Sequence, residues 1–526
     1  MTSPGTQPRS TQPRSTQSRS TQPAVAGQAG TAGAHEREAG QAGYDAGPRW
    51  MIALPPAVTL VIMLWGITGA SYWRDEAATM SAAQRPFGNL LRTLGNIDAV
   101  HGAYYMIIWV MVRLGGTGEL VTRLPSALAM AGAAAAVAAL GRRLVSARAG
   151  LASGLLFAVL PEISLYGQDA RPYAIVVALA ALASYLLVRA EQAGGGARQR
   201  WLAGYAACLA ALGIVDIFGL LLIPAHALTV ALRCLRESGR GRAGGPAARS
   251  LALGWLAAAG AGALLASPVL ALGFVQRGTL SWLGPPGLGA VKDLRQLIGP
   301  ATMVDVVALV IACGIVVSVL AGRERLRASW PGSLLALCLP WLILPPAILL
   351  LGSLITPIYT LRYVLLCIPA IALLAGAGLA ALGWVAGTAA LAVIAVLGVP
   401  TQAHVRTPDG HGDNVRQADR IVADNMRPGD SVLEFKAENF AQAYPYGIRK
   451  LVPVARAKSP IQSATLTGTF LPDPVVRQRL TRVGRVWVVE YGHAPPLVIL
   501  NGLHFRLLHA WRTSDIWLFL YAHQAG

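Results

Sequence analysis

Charge is scarce in this chain of 526 residues: Asp, Glu, Lys and Arg make up 13% of it, against 54% hydrophobic residues. A single soluble globule is excluded, because that apolar excess needs a solvent other than water to bury it. Cysteine is scarce too. All five, Cys208, Cys234, Cys313, Cys338 and Cys367, fall inside or at the ends of apolar runs and none lies in the long tail, so free, lipid-buried thiols are expected and no disulfide framework is implied. The tail also lacks a P-loop and a dinucleotide-binding glycine pattern, which leaves a nucleotide-sugar site unsupported. A formal charge of +19 would suggest nucleic acid in a soluble domain. Here the arginines cluster between apolar runs, as membrane orientation demands, and no nucleic-acid motif accompanies them.

What is present instead is a series of apolar runs separated by arginine-rich loops, the pattern of a polytopic α-helical membrane protein. Residues 1–48 are rich in Ser, Thr, Gln, Pro, Gly and Ala and carry a near-repeat, Ser-Thr-Gln-Pro-Arg, around Arg9, Arg14 and Arg19. Their apolar surface is too small to offset ordering entropy, so a disordered cytoplasmic arm is expected. Roughly 50 polar residues precede the first apolar run, so no cleaved signal peptide is expected. Residues 49–400 read as the membrane domain. The run 51–70 is long enough to cross at about 1.5 Å per residue, and Arg37 and Arg49 ahead of it place its start inside.

The apolar piece 103–114 is short and ends in Gly-Gly, which fits an interfacial or re-entrant helix. The cationic loop with Arg142, Arg143 and Arg148 belongs on the cytoplasmic side. The span 120–140 then runs inward, and residues 71–119 become one large extracytoplasmic loop. Further spans over 149–164, 172–190, the run 201–234 divided at Asp216, 251–273, 304–321, 332–352, 361–380 and 383–399 bring the number to about eleven. An odd number puts the tail outside. Residues 401–526 have ordinary charge density, a helix-like stretch at 414–425 and strand-like stretches at 431–435, 486–489 and 516–521, giving a small extracytoplasmic α/β domain.

This topology gathers four polar clusters on the outer face: Asp75-Glu76; Asp98 with His101, Tyr104 and Tyr105; Asp169-Ala170-Arg171-Pro172-Tyr173; and Leu361-Arg362-Tyr363. One ion at a membrane boundary is a snorkelling anchor, whereas several converging ones suggest a site. Carboxylates, a histidine and two arginines can deprotonate a hydroxyl and hold an anionic leaving group. The plain readings are an interfacial role for His101, packing for Tyr104 and Tyr105, helix-end anchoring for Arg171 and Arg362, and a capped helix end for Asp216. Nothing near His101 supplies a second zinc ligand, and no metal or other cofactor is expected.

The order and wording of these clusters resemble the GT-C class of membrane glycosyltransferases. The resemblance is to the branch with protein O-mannosyltransferases, lipid A aminoarabinose transferases and actinobacterial envelope mannosyltransferases. Asp75-Glu76 after the first span looks like that family's acidic pair, whose aspartate is the catalytic base. Asp98 to Tyr105 is similar to its first-loop motif, with Gly102-Ala103 in place of the usual prolines. Gln168-Asp169-Ala170-Arg171-Pro172-Tyr173-Ala174 resembles its acid-Ala-Arg-x-Tyr-Ala signature, and Leu361-Arg362-Tyr363 its late Arg-Tyr motif. The resemblance implies catalytic roles for Asp75, Glu76 and Asp169 and substrate contacts for Asp98, His101, Tyr105, Arg171, Tyr173, Arg362 and Tyr363. It also implies a polyprenyl-phosphate sugar donor, most simply of mannose, and a glycan, glycolipid or protein acceptor outside the plasma (inner) membrane. An arabinosyl or other pentosyl transferase, or a lipid-linked oligosaccharide ligase, would fit the same motifs. A secondary transporter would show internal repeats, and none is present.

Overall fold

The computed structural model describes residues 48–238, 246–287, 289–320, 330–435, 437–492 and 498–523, with residues 1, 2 and 5 besides. Of the arm read over 1–48, residues 3, 4 and 6–47 lie outside these, as do the cationic positions Arg240, Arg242, Arg323, Arg325 and Arg327. Among the described residues, eight helices are long and apolar enough to cross a membrane: Glu119–Leu144, Tyr173–Gln192, Ile217–Arg236, Ala248–Val275, Ala301–Leu320, Leu334–Gly352, Leu361–Ala381 and Gly383–Val405. A ninth forms if the pair Ala147–Val159 and Pro161–Gly167, bent by 64° where Pro161 opens the second helix, counts as one span. The protein is a polytopic membrane protein. All eleven stretches expected as spans are helical; the two outside this set are α1 (Trp50–Leu64) and the helix Gly195–Val215.

The first of these corrects the sequence reading. The helix expected over 51–70 stops at Leu64, because Gly66 turns the chain at a φ of 64°. Unwinding frees carbonyls beside the membrane, where each needs a partner. Arginines from three places supply them: Arg406 donates to Trp65 O (2.7 Å), Arg123 to Ile67 O and Ala70 O (2.9 and 3.0 Å), and Arg416 to Gly69 O and Ala70 O (3.1 and 2.9 Å).

Past this turn the chain forms α2 (Arg74–Ala83), α3 (Phe87–Asn96) and the apolar helix α4 (Gly102–Gly115). At 14 residues α4 spans about 21 Å, too short to cross, as expected of the 103–114 piece. Tyr104, Tyr105 and Ile108 on it are fully buried. The longest early helix, α5 (Glu119–Leu144), has Glu119 in its first turn and Arg142 and Arg143 in its last, each matched to the helix dipole. Its neighbours pack through small residues: a Cβ on Gly150 would lie 2.4 Å from Ala138 O, and one on Gly314 2.4 Å from the Cα of Gly378.

A buried polar chain ties four other helices together. Ser184 donates to Ala180 O (2.8 Å), so its oxygen accepts from His226 Nε2 (3.1 Å). His226 Nδ1 then accepts from Tyr205 (3.0 Å), whose oxygen accepts from Trp255 Nε1 (3.1 Å). Every donor has one destination, which fixes the imidazole tautomer. His226→Phe leaves the Tyr205 hydroxyl without its acceptor at a cost of about 1–3 kcal/mol. A lower melting temperature in detergent is expected, and an unchanged one would show that the chain contributes nothing to stability.

The C-terminal residues form a five-stranded mixed sheet of order β2-β1-β5-β7-β6, with β1 (Ser431–Phe435), β2 (Val452–Pro453), β5 (Arg485–Tyr491), β6 (Phe505–Thr513) and β7 (Ile516–His523). The short β3 (Arg456–Lys458) and β4 (Thr469–Phe470) pair beside it. β1 runs parallel to β2 and β5, and β7 antiparallel to β5 and β6. The helix Val415–Asn425 is capped by Asn414, which accepts from Gln417 N at 3.0 Å. This α/β module shares one core with the first loop. Tyr72, Ala77 and Met80 pack with Val415, Phe440, Tyr444 and Trp487, and the Tyr444 hydroxyl accepts from Tyr72 N at 2.9 Å.

Candidate active site

A cavity of about 450 Å³ lies where α2, the turn leading into α4, the Arg171 turn and the Leu361–Cys367 helical turn converge under the C-terminal module. Its wall carries seven residues singled out in the sequence: Asp75, Asp98, His101, Arg171, Tyr173, Arg362 and Tyr363. The volume falls in the range of small-molecule sites.

Asp75 sits in the first turn of α2. Its Oδ2 accepts from Arg362 NH1 at 2.6 Å, and Arg74 Nε lies 3.9 Å from Oδ1. The Arg362 guanidinium lies 5.2 Å from the ring centre of Trp282 and 5.8 Å from that of Trp73, while its Nε is buried without a partner. Its NH2 makes no hydrogen bond among the described residues, which leaves part of the guanidinium fork open to an anion.

Asp98 holds the second arginine through two intermediaries. His101 Nδ1 lies 2.6 Å from Asp98 Oδ1, and Tyr105 donates a short hydrogen bond to Oδ2. Arg171 NH2 lies 3.1 Å from His101 Nε2, and NH1 3.4 Å from the Tyr105 oxygen. A guanidinium can only donate, so Nε2 is the acceptor and the imidazole proton sits on Nδ1, pointing at Asp98. Burial alone would raise the Asp98 carboxyl, but His101 and Arg171 hold it well below the usual range. Asp98 also adopts a left-handed backbone at φ 63°, a conformation that needs support from its surroundings. Arg171 is 5% exposed and its Nε has no partner. Tyr105 itself is fully buried behind this chain, so it orients Asp98 and Arg171 without lining the cavity.

The other two carboxylates expected to be catalytic face away from the cavity. Glu76 is fully buried and takes the Arg123 guanidinium at 2.8 and 2.7 Å, with Ala170 N at 2.8 Å. Burial would raise its carboxyl, but Arg123 outweighs that and keeps it well below the usual range. Consecutive helical residues cannot share a face, which separates Glu76 from Asp75. Asp169 is buried beneath Trp73 and accepts from its indole nitrogen at 3.0 Å. Burial, with Glu76 nearby, pushes its carboxyl well above the ordinary range. Glu76 and Asp169 thus position the Trp73–Asp75 turn.

Sequence reasoning missed Arg123, all five of whose N–H groups are used: two on Glu76 and the rest on Ile67 O, Ala70 O and Ser71 O. The available signal was an arginine a few residues inside an apolar span. It also left out Asp216. That residue does cap a helical turn, accepting from Phe218 N at 2.9 Å, yet it lines the cavity as well, beside the stacked rings of Phe218 and Tyr363 at 4.2 Å. Burial raises its carboxyl. Glu76, Asp169 and His411 each bring one ligand atom to within 4.8 Å of the others. Both Glu76 oxygens already face the Arg123 fork, and that fixed positive charge opposes a cation there.

A sequence model of the family described as dolichyl-phosphate-mannose-protein mannosyltransferase matches residues 102–238, the stretch that carries the Arg171 motif. No match to a curated protein was found. Among solved structures the chain is similar to ArnT from Cupriavidus metallidurans in the apo state, with 16% identity, 89% of this chain and 97% of that chain covered, and a TM-score of 0.60. It is similar also to ArnT from the same organism bound to undecaprenyl phosphate, with 15% identity, 90% and 98% covered, and a TM-score of 0.57. The fold is therefore similar to that of ArnT over about nine-tenths of the chain. The family model agrees, over residues 102–238, with the protein O-mannosyltransferase resemblance of the motifs.

Proposed function

We propose that this protein is a membrane glycosyltransferase that moves a sugar, mannose, from a polyprenyl-phosphate donor to a hydroxyl acceptor at the outer face of the plasma membrane. The observation that carries the reading is the juxtaposition, in one cavity, of Asp75 with Arg171 and Arg362. The similarity to a structure bound to undecaprenyl phosphate supports the donor class. The polyprenyl chain stays in the bilayer while its sugar phosphate enters the cavity.

The acceptor oxygen attacks the anomeric carbon as its proton passes to Asp75. The bond from that carbon to the phosphate oxygen breaks, and the electron pair leaves with polyprenyl phosphate, giving single displacement with inversion. The leaving phosphate is already a stable anion and needs fixed positive charge more than a proton. Arg171 and Arg362 supply it, and the reading involves no metal. Asp98 and His101 aim Arg171. Because Arg362 bonds Asp75 before donor arrives, phosphate binding competes for the guanidinium and frees the base as the donor seats.

Undecaprenyl phosphate binding to the full chain in nanodiscs tests the donor half. Arg362→Lys keeps the charge and loses the fork, so binding weakens by about tenfold; wild-type affinity would leave Arg362 a membrane anchor. The orientation is tested by reporter fusions, with those after Trp73 and Gly412 outside and that after Arg143 inside. An outside signal at Arg143 would overturn the placement of the cavity.

A further inference from the structure

Two segments of the C-terminal module close one side of the cavity: Asn439, in the turn before Phe440, and Leu466 with Thr467, in the loop before β4. Both are fastened to α2 and the turn that follows it. Arg85 NH2 donates to Thr465 O at 2.7 Å, Ser81 Oγ to Leu466 O at 2.9 Å, and Gln84 Nε2 to Gln442 O at 2.7 Å. Phe440 packs in the same core as Ala77 and Met80. The loop is held at both ends by left-handed residues, Ala464 at φ 51° and Gly468 at φ 99°.

These contacts engage backbone and leave two side chains uncommitted. The Asn439 carbonyl oxygen is buried without a hydrogen-bond partner, and the Thr467 hydroxyl has none among the described residues. Both residues line the cavity, so a ligand there can hydrogen-bond to their side chains. Neither group is charged, whereas Arg171 and Arg362 elsewhere on the wall suit a phosphate. An amide and a hydroxyl together offer donors and acceptors, which complements sugar hydroxyls, themselves both donors and acceptors.

We infer that Asn439 and Thr467 form the acceptor subsite, binding a saccharide acceptor through hydroxyls beside the one that reacts. The inference rests on the proposed glycosyl transfer and adds to it what the C-terminal module does. The module's wall and Asp75 are held by the same helix, so a saccharide bound to the module presents its hydroxyl to the base with little slack.

The test uses the full chain in nanodiscs and two probes, a methyl mannobioside and undecaprenyl phosphate, with binding read from tryptophan fluorescence. Asn439→Ala and Thr467→Val each raise the disaccharide Kd by about tenfold and leave the undecaprenyl phosphate Kd unchanged. Thr467→Ser, which keeps the hydroxyl, restores the affinity. Disaccharide binding that is absent in wild type, unchanged in both variants, or lost in step with lipid binding overturns the subsite. Failure of the wild type to bind undecaprenyl phosphate overturns instead the donor reading beneath it.

Discussion

Asp75→Asn lowers sugar transfer by about two to four orders of magnitude while the protein inserts and still binds lipid phosphate. The amide matches the carboxylate in volume and can still accept from Arg362 through its oxygen, so the wall keeps its shape. What disappears is the group proposed to take the acceptor proton. Of the carboxylates on the cavity wall, Asp75 is the one ion-paired to a phosphate-binding candidate, at 2.6 Å. Asp98 is committed to His101 and Tyr105, and Asp216 to the Phe218 amide. Initial rates at equal protein level check this. Near-normal transfer in the Asp75→Asn protein would move the base to Asp98 or Asp216.

Arg123→Leu, by contrast, removes the protein from the membrane fraction. Glu76 would be left charged and fully buried, with Ile67 O and Ser71 O also without their donor, while Ala70 O keeps Arg416. Breaking a buried ion pair on one side costs about 3–5 kcal/mol, and the two stranded carbonyls add to that. Glu76→Leu strands the arginine and is expected to be comparably harmful. The double variant removes both charges, so it recovers part of the lost protein, since the uncompensated charge is the larger penalty. Quantitative immunoblots with detergent melting curves measure this. Normal abundance of Arg123→Leu would mean that the pair contributes little and that Glu76 is free for another task.

The contrast between these neighbours shows how much the sequence could tell. Asp75 and Glu76 read as one acidic pair, because composition and spacing do not say which carboxylate faces a cavity. The answer depends on Arg123, 47 positions on from Glu76. The module's helix and three of its strands were legible because their apolar residues recur at helical or strand period, and they lie where they were read, at Val415–Asn425, β1, β5 and β7, whereas the longest strand, β6, was not read. The early end of α1 was not legible from hydropathy, since residues 65–70 remain apolar after the helix has unwound. The turn at Gly66 is sustained by arginines that take the freed carbonyls, and they come from α5, the end of Gly383–Val405 and Val415–Asn425. Asp216 was read correctly as a cap, but a cap and a cavity wall are compatible, and its second role depends on which helices surround it. The wall formed by Asn439 and Thr467 left no local trace, being set by the docking of the module on α2.

The most direct measurement is donor turnover by membranes containing the protein, comparing mannose linked to polyprenyl phosphate with mannose linked to a nucleotide. Release of free polyprenyl phosphate together with label in a glycoside product, dependent on Asp75 and absent with the nucleotide donor, is the predicted result. Equal or greater transfer from the nucleotide donor, or no Asp75-dependent turnover of the lipid donor, would contradict the account.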